Sequence, residues 1–291
     1  MSETGMHENP LVPHAKLRQI YVAMAEARAL DEYVAGVQKR VKSRKGLKRR
    51  GQRLDSIRGQ EACRVSTAID LMPGDLVSDS QAGMVMHLLT GVRVSSLLKR
   101  AAELHSGKET NGVLLEGASG RLLPWIDDAG ERLRMAMGAA LSFKVLGKAN
   151  VVVAYVRHGE LEKAAWRRVL ELAGKLELPV IFVVLPAGKG EREVGVTNLS
   201  AKTARWGVPG IPVDAGDAVA LYRVAQESLG RTRGGDGPAL IECVAYRSGG
   251  EAGDDPLVQM RGFLLGRKVC TKAWLERAGD GLRRRIAAAR Q

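Results

Sequence analysis

Apolar residues recur at helical spacing near the start of the chain. Leu17, Ile20, Tyr21, Met24, Leu30, Tyr33 and Val34 fall on one face of a 3.6-residue repeat and predict a long amphipathic first helix. A basic segment around Gly46 and Gly51 interrupts the pattern and reads as a loop. Gly59-Gln60-Glu61-Ala62 opens a second helix, expected to end near Met72-Pro73-Gly74, and a third is expected from about Val94 to His105. Residues 106–130 are Gly-rich and irregular, with Pro124 and Trp125 marking a folded loop.

Beyond that loop the pattern becomes regular. A helix of small residues, Arg134 to Leu146, precedes an unbroken apolar run from Val151 to Val156. Glu160 to Leu176 has helical period, and Pro179 introduces a second run, Val180 to Leu185. A loop rich in Gly, Lys and Glu (Ala187 to Asn198), a short helix and Ile211-Pro212-Val213 come next. Ala218 to Thr232 is a further amphipathic helix and Ala239 to Ala245 a further apolar strand. Unbroken apolar strands alternating with helices imply an α/β fold with a parallel sheet covered by helices on both faces. No internal repeat or linker appears, so a single domain over 1–291 is expected, ending in a helical tail over 258–291. Open sheets of this kind bind ligands outside the carboxyl ends of their strands. Two turns occupy that position, Arg157-His158-Gly159 and Leu185-Pro186-Ala187.

Composition changes this picture in a few places. With 45% hydrophobic but only 4% aromatic residues, the core must be aliphatic. The longest apolar runs are far too short to cross a bilayer, and the polar stretch Met1 to His14 lacks a signal core. A cytoplasmic protein with no membrane partner is therefore expected. Cys63, Cys243 and Cys270 form no CxxC pair and read as reduced structural thiols; the five scattered histidines define no zinc site.

The net charge of +13 is unevenly spread. Lys39 to Arg53 holds nine basic residues and no acid, leaving +4 for the rest, and Arg283-Arg284-Arg285 with Arg290 forms a second patch. Either could meet nucleic acid or an acidic partner. No aromatic lies inside the 39–53 run to stack on bases, so a solvated loop is the expected reading and nucleic acid is not the expected partner. Gly107-Lys108 is no phosphate-binding loop: Ala102 takes the earlier glycine position and Glu109 that of the hydroxyl residue. The adjacent carboxylates Asp127-Asp128 and Asp254-Asp255 diverge, so loop or capping roles are expected.

Three segments in the last third carry a specific resemblance. They are Trp206-Gly207-Val208-Pro209-Gly210 with Val213-Asp214-Ala215-Gly216-Asp217-Ala218, then Gly237-Pro238-Ala239-Leu240-Ile241-Glu242, then Tyr246-Arg247-Ser248-Gly249-Gly250 with Asp254-Asp255-Pro256. Gly59-Gln60-Glu61-Ala62, Pro73-Gly74-Asp75 and Gly138-Ala139-Ala140-Leu141 extend the set over residues 15–257. In that order and spacing the chain resembles the alpha subunit of thiamine-diphosphate-dependent 2-oxo acid dehydrogenases, the group of pyruvate, branched-chain and acetoin dehydrogenases. The resemblance implies the thiamine-diphosphate-binding fold and a cofactor held between alpha and beta subunits. It also implies oxidative decarboxylation of a 2-oxo acid, with the acyl group passed to a lipoyl carrier protein.

The resemblance also locates the cofactor's grips. In the family a Gly-Asp-Gly turn and an Asn in the next helix hold the diphosphate through magnesium, which demands hard oxygen ligands. In register with Leu178-Pro179, that turn falls on Arg157-His158-Gly159, the Asn on Glu162, and the paired Asn after the next strand on Pro186-Ala187. The Tyr-Arg-x-His-Gly-His stretch falls on Gln81-Ala82-Gly83-Met84-Val85-Met86, with His87 one place beyond. Gly-His-Ser becomes Gly250-Glu251-Ala252, and the Gln and Pro beside the aminopyrimidine become Arg132 and Arg134.

The metal carboxylate, the arginine clamp and the histidines are all replaced. The expectation is therefore a divergent, non-catalytic or altered alpha-type subunit that holds no cofactor and no metal, assembled with a beta-type partner or with itself. Gly59, Pro73, Gly207, Pro209 and Gly237 then serve turns and packing. Other readings stay open. Glu160 and Glu162 could rebuild a metal site. Arg157, His158 and Lys163, with Arg132 and Arg134, could form a metal-free phosphate or carboxylate site at a helix N-terminus. If the family's oxidoreductase activity is retained, the cofactor is thiamine diphosphate with magnesium, held by Arg157, Gly159 and Glu162. A basic binding module built on residues 39–53 is the remaining alternative.

Overall fold

The computed structural model describes residues 12–42, 56–81, 84–106, 120–186, 198–245 and 255–288. It begins with helix α1 (His14–Lys42) and α2 (Glu61–Ala68), followed by strand β1 (Leu76–Ser78) and helices α3 (Val85–Leu89), α4 (Val94–Ser106) and α5 (Ala129–Val145). Next come β2 (Val152–Arg157), α6 (Lys163–Lys175), β3 (Val180–Leu185) and α7 (Ser200–Thr203), which runs into a 3-10 turn at Ala204–Trp206. The chain closes with β4 (Gly210–Asp214), α8 (Ala218–Arg233), β5 (Ala239–Val244), α9 (Pro256–Gly266), α10 (Lys272–Gly279) and α11 (Gly281–Ala288). The strands form one parallel sheet in the order β1-β2-β3-β5-β4.

Successive side chains of a strand point to opposite faces, so each apolar run feeds two cores. Val153, Tyr155, Ile181, Val183 and Ile241 pack with α1, α2, α8 and α9 on one side. Val152, Ala154, Phe182, Val184 and Leu240 pack against α5 and α6 on the other. There Trp166 meets Phe182 edge to face, with ring centroids 6.2 Å apart. A third cluster joins α1, α4 and α11 around Leu30, Leu97 and Ile286. The sheet is thus parallel and covered on both faces, as expected.

Neighbouring strands β3 and β5 send their connections to opposite faces. The chain after β3 packs Leu199, Trp206 and Val208 into the α5/α6 side, whereas α9 after β5 packs on the α1/α2 side. The crevice where such connections part is where an open α/β sheet takes its ligand.

Several boundaries differ from the sequence reading, each for a local reason. The first helix continues to Lys42, so residues 39–42 of the basic run are helical rather than loop. The second ends at Ala68, ahead of a turn in which Asp75 accepts from the Met72 N–H before the chain enters β1. That strand, only three residues long, and α3 went unforeseen because neither is long enough to show a period. Helix α5 starts at Ala129 rather than Arg134, since Asp128 accepts from the Glu131 N–H as its N-cap. Helix α6 starts at Lys163 rather than Glu160, because the Glu160 carboxylate is bound back to the Arg157 N–H and holds a turn instead. Asp255 caps α9, with Pro256 in its first turn, in line with the capping role expected.

Readings that involve residues 43–53, Gly107-Lys108, Ala187, the Tyr246 and Gly250-Glu251-Ala252 segments, Asp254 and Arg290 lie outside the described residues. Among those described, no helix is long and apolar enough to cross a membrane.

Candidate functional site

At the carboxyl end of β2 the His158 N–H donates to the Leu185 carbonyl at 2.8 Å, which ties the two turns together. Gly159 follows with φ +89°, a left-handed conformation that explains why glycine survives there. Glu160 accepts from the Arg157 N–H and Nε, both at 2.9 Å, and from Arg132 Nη2 at 2.9 Å. Arg132 is buried and donates its other terminal nitrogen to the Ile126 and Asp127 carbonyls at 2.8 and 2.7 Å. One carboxylate is therefore shared by two guanidinium groups from different elements.

The fold thus brings Arg157, Glu160 and Arg132 together, and leaves other candidates apart. Arg134 lies on the exposed side of α5, 3.8 Å from Glu131. Glu162 is the N-cap of α6 but its side chain caps nothing, and Lys163 beside it is exposed. His158 is half-buried, and its Nδ1 finds no hydrogen-bond partner among the described residues. His87 sits half-buried on α3.

A second cluster lies beneath the end of β1. Arg64 on α2 is fully buried, a state tolerable for a charge only when it is paired and hydrogen-bonded. It donates to Asp79 at 2.6 Å, Gln81 at 2.9 Å, Gln60 at 3.2 Å and Ser80 at 3.3 Å, and its guanidinium lies 5.5 Å from the centre of the Tyr155 ring. Tyr155 shares a 2.7 Å hydrogen bond with Thr67, and burial pushes its phenol above the ordinary range, so it stays neutral. Gln60 also donates to the Pro186 carbonyl at 3.4 Å, linking this cluster to the turn after β3. Gln81, in register with the tyrosine expected to reach the cofactor, is thus turned inward onto Arg64. Sequence reading missed Arg64 and Asp79. The available signal was a lone arginine four residues after Gln60, on the same face of a helix of mostly small residues.

A third network fastens the helical layer behind the site. Arg28 pairs with buried Glu61 and forks onto Asp255 at 2.9 and 3.2 Å. Burial would raise the Asp255 carboxyl, but the hydrogen bonds and charge of Arg28, with the Leu257 and Val258 N–H groups, outweigh it and hold it below its ordinary value.

A magnesium-held diphosphate needs several oxygen ligands in a tight octahedron. The two turns offer an imidazole, a proline and one carboxylate already engaged by two arginines. Among the described residues no group of three or more His, Cys, Asp or Glu is placed to hold a metal ion. The described residues at these turns do not fit that group.

Comparison with known proteins adds an independent line. The family model of the dehydrogenase E1 component matches residues 30–273. The chain is 28% identical over 209 residues to the alpha subunit of acetoin:2,6-dichlorophenolindophenol oxidoreductase from Bacillus subtilis, covering 66% of this chain and 60% of that one. It is 28% identical over 258 residues to the alpha subunit of 3-methyl-2-oxobutanoate dehydrogenase from Mycobacterium tuberculosis, covering 84% and 65%. Against the pyruvate dehydrogenase E1 component alpha subunit of Staphylococcus aureus it is 32% identical over 134 residues, 44% of this chain and 36% of that one. The match to the first two relatives thus spans less than two thirds of their length.

Proposed function

The chain belongs to the dehydrogenase E1 component family, as a 2-oxo acid dehydrogenase alpha-subunit-like protein, and we propose that it serves there as a non-catalytic or altered subunit. The observation that carries this reading is the donor set at the carboxyl ends of β2 and β3. His158 and Pro186 stand where oxygen ligands are needed, and Glu160 is engaged by Arg157 and Arg132. In this family thiamine diphosphate supplies the chemistry and the protein positions it. A chain without those grips keeps the architecture and gives up the positioning.

At this end of the sheet Arg64, Arg132 and Arg157 pair internally. Arg64 draws Asp79, Ser80 and Gln81 inward. Arg132 draws the loop before α5 onto the turn after β2. Both devices rigidify surfaces that an assembly could use without chemistry. The relatives are named as alpha subunits, which supports a beta-type partner for this chain, with a homo-oligomer as the other arrangement. Three unpaired cysteines suit a reducing compartment, and we place the protein in the cytoplasm.

Calorimetry of the full chain with thiamine diphosphate and magnesium tests the proposal. No saturable heat is expected, alone or with a co-expressed beta-type subunit. Metal-dependent binding at micromolar concentration would overturn it and restore the oxidoreductase reading. Co-purification of a beta-type subunit tests the assembly separately from the chemistry.

A further inference from the structure

Residues 267–288 carry seven basic and two acidic side chains. The seven cations, Arg267, Lys268, Lys272, Arg277, Arg283, Arg284 and Arg285, are all exposed. Part of this charge converges. Helices α10 and α11 enclose an open groove of about 640 Å³ whose charged lining is Glu276, Arg277, Asp280, Arg283 and Arg284. Small side chains at Ala273 and Ala287 keep the space between the helices open.

The groove has fixed walls. Leu275 of α10 is buried, and Trp274 lies with its ring centre 6.1 Å from that of Tyr21 on α1. Ile286 of α11 is buried against α1 and α4, and Arg285 pairs with Glu26. Arg284 donates to the Arg277 carbonyl at 3.2 Å and the Asp280 carbonyl at 3.5 Å, so main chain rather than a carboxylate holds it. Among the described residues Arg283 has long contacts, 3.6 Å to Glu32 and 3.8 Å to Asp280. Among the described residues neither Arg277 nor Arg284 is paired with an acid. The family match ends at residue 273, where the groove begins.

We infer that the α10–α11 groove docks an acidic segment of a partner protein. Arg284, held by main chain, and Arg277, exposed beside it, have no carboxylate partner among the described residues and so suit carboxylates arriving from outside. The groove's size is that of a site for a few side chains. Glu276 and Asp280 favour a peptide over a nucleic acid. They would repel a uniformly anionic phosphate backbone, whereas a mostly acidic segment can set a lysine against them and so gain register. Among the described residues no aromatic side chain lines the groove to stack on a base. This inference goes beyond the proposed loss of chemistry and does not depend on it.

The test is fluorescence anisotropy of the full chain with a labelled peptide rich in Asp and Glu, at low and high salt, with labelled duplex DNA as the second probe. The peptide is expected to bind and to weaken with salt. Arg277→Glu should weaken it on the order of tenfold without moving the thermal midpoint. Arg277→Ala should weaken it less, and Glu276→Gln should tighten it, because this probe of Asp and Glu carries no lysine to set against Glu276. The inference is overturned if the peptide does not bind, or if its affinity ignores all three substitutions, which would place binding on the other basic run. It is equally overturned if DNA binds more tightly than the peptide and loses affinity with Arg277→Glu.

Discussion

Arg64 shows how a single side chain can redefine a site. A guanidinium without solvent contact must be met by fixed acceptors, and Asp79, Gln81, Gln60 and Ser80 are committed to that task. Arg64→Met would leave the Asp79 charge buried without its partner. A loss of about 3–5 kcal/mol is expected in urea unfolding, much of it recovered when Asp79 is also made apolar. A loss near zero would mean that the cluster is not closed. Asp255 makes a pH prediction with a definite sign. Its folded pKa lies below the unfolded value of about 3.9. The stability it contributes is present above that value and is lost as pH falls through the lower folded one. Thermal midpoints should therefore fall more steeply below about pH 4 in the wild type than in Asp255→Asn, which keeps a capping side chain. Parallel curves would remove Asp255 from the account. At this scale the sequence was half legible. The residue types at Arg157, His158 and Pro186 could be read directly, but the binding of Glu160 by Arg132 spans 28 residues and has no local signature.

At the scale of elements, the segment that carried the family resemblance proves to be packing. Gly207 has φ +78° and lies against Gly174 of α6, where an added Cβ would come within 2.9 Å of the Gly207 carbonyl. Gly210 opens β4 so close to α7 that an added Cβ would collide with the Ser200 main chain and Thr203 Oγ1. Gly210→Ala is expected to cost at least about 1–3 kcal/mol, because backbone must move to admit the methyl group. Denaturation of that variant checks it, and a neutral result would mean that β4 and α7 sit farther apart. Neither glycine touches the site. Helix and strand types were readable from the periods, because a parallel sheet buried on both faces writes unbroken apolar runs. Boundaries were not, since capping by Asp128 and the turn closed by Glu160 depend on particular side-chain geometry.

On the scale of the whole molecule, the closing helices complete the core rather than trail from it. Ile286 of α11 is 6% exposed and packs with Leu30, Val34, Leu97 and Ala101, residues far earlier in the chain. Ile286→Ala should cost about 2–5 kcal/mol in global unfolding. A loss confined to a local, non-cooperative transition would show that α11 is only loosely docked. The same docking turns a run of arginines into one wall of a groove with a definite shape. The sequence by itself determined the layered parallel fold, its family and the residue types at the two turns after β2 and β3. Those rest on periodicity and on residue identity at fixed spacing, both of which are local. Only the tertiary structure decided which charged residues meet one another. Arg64 meets Asp79, Arg132 and Arg157 share Glu160, and Arg277 and Arg284 line one groove. Such pairings are set by how helices and strands cross in space, and pairing decides whether a charge is free to bind a ligand or is used to hold the fold.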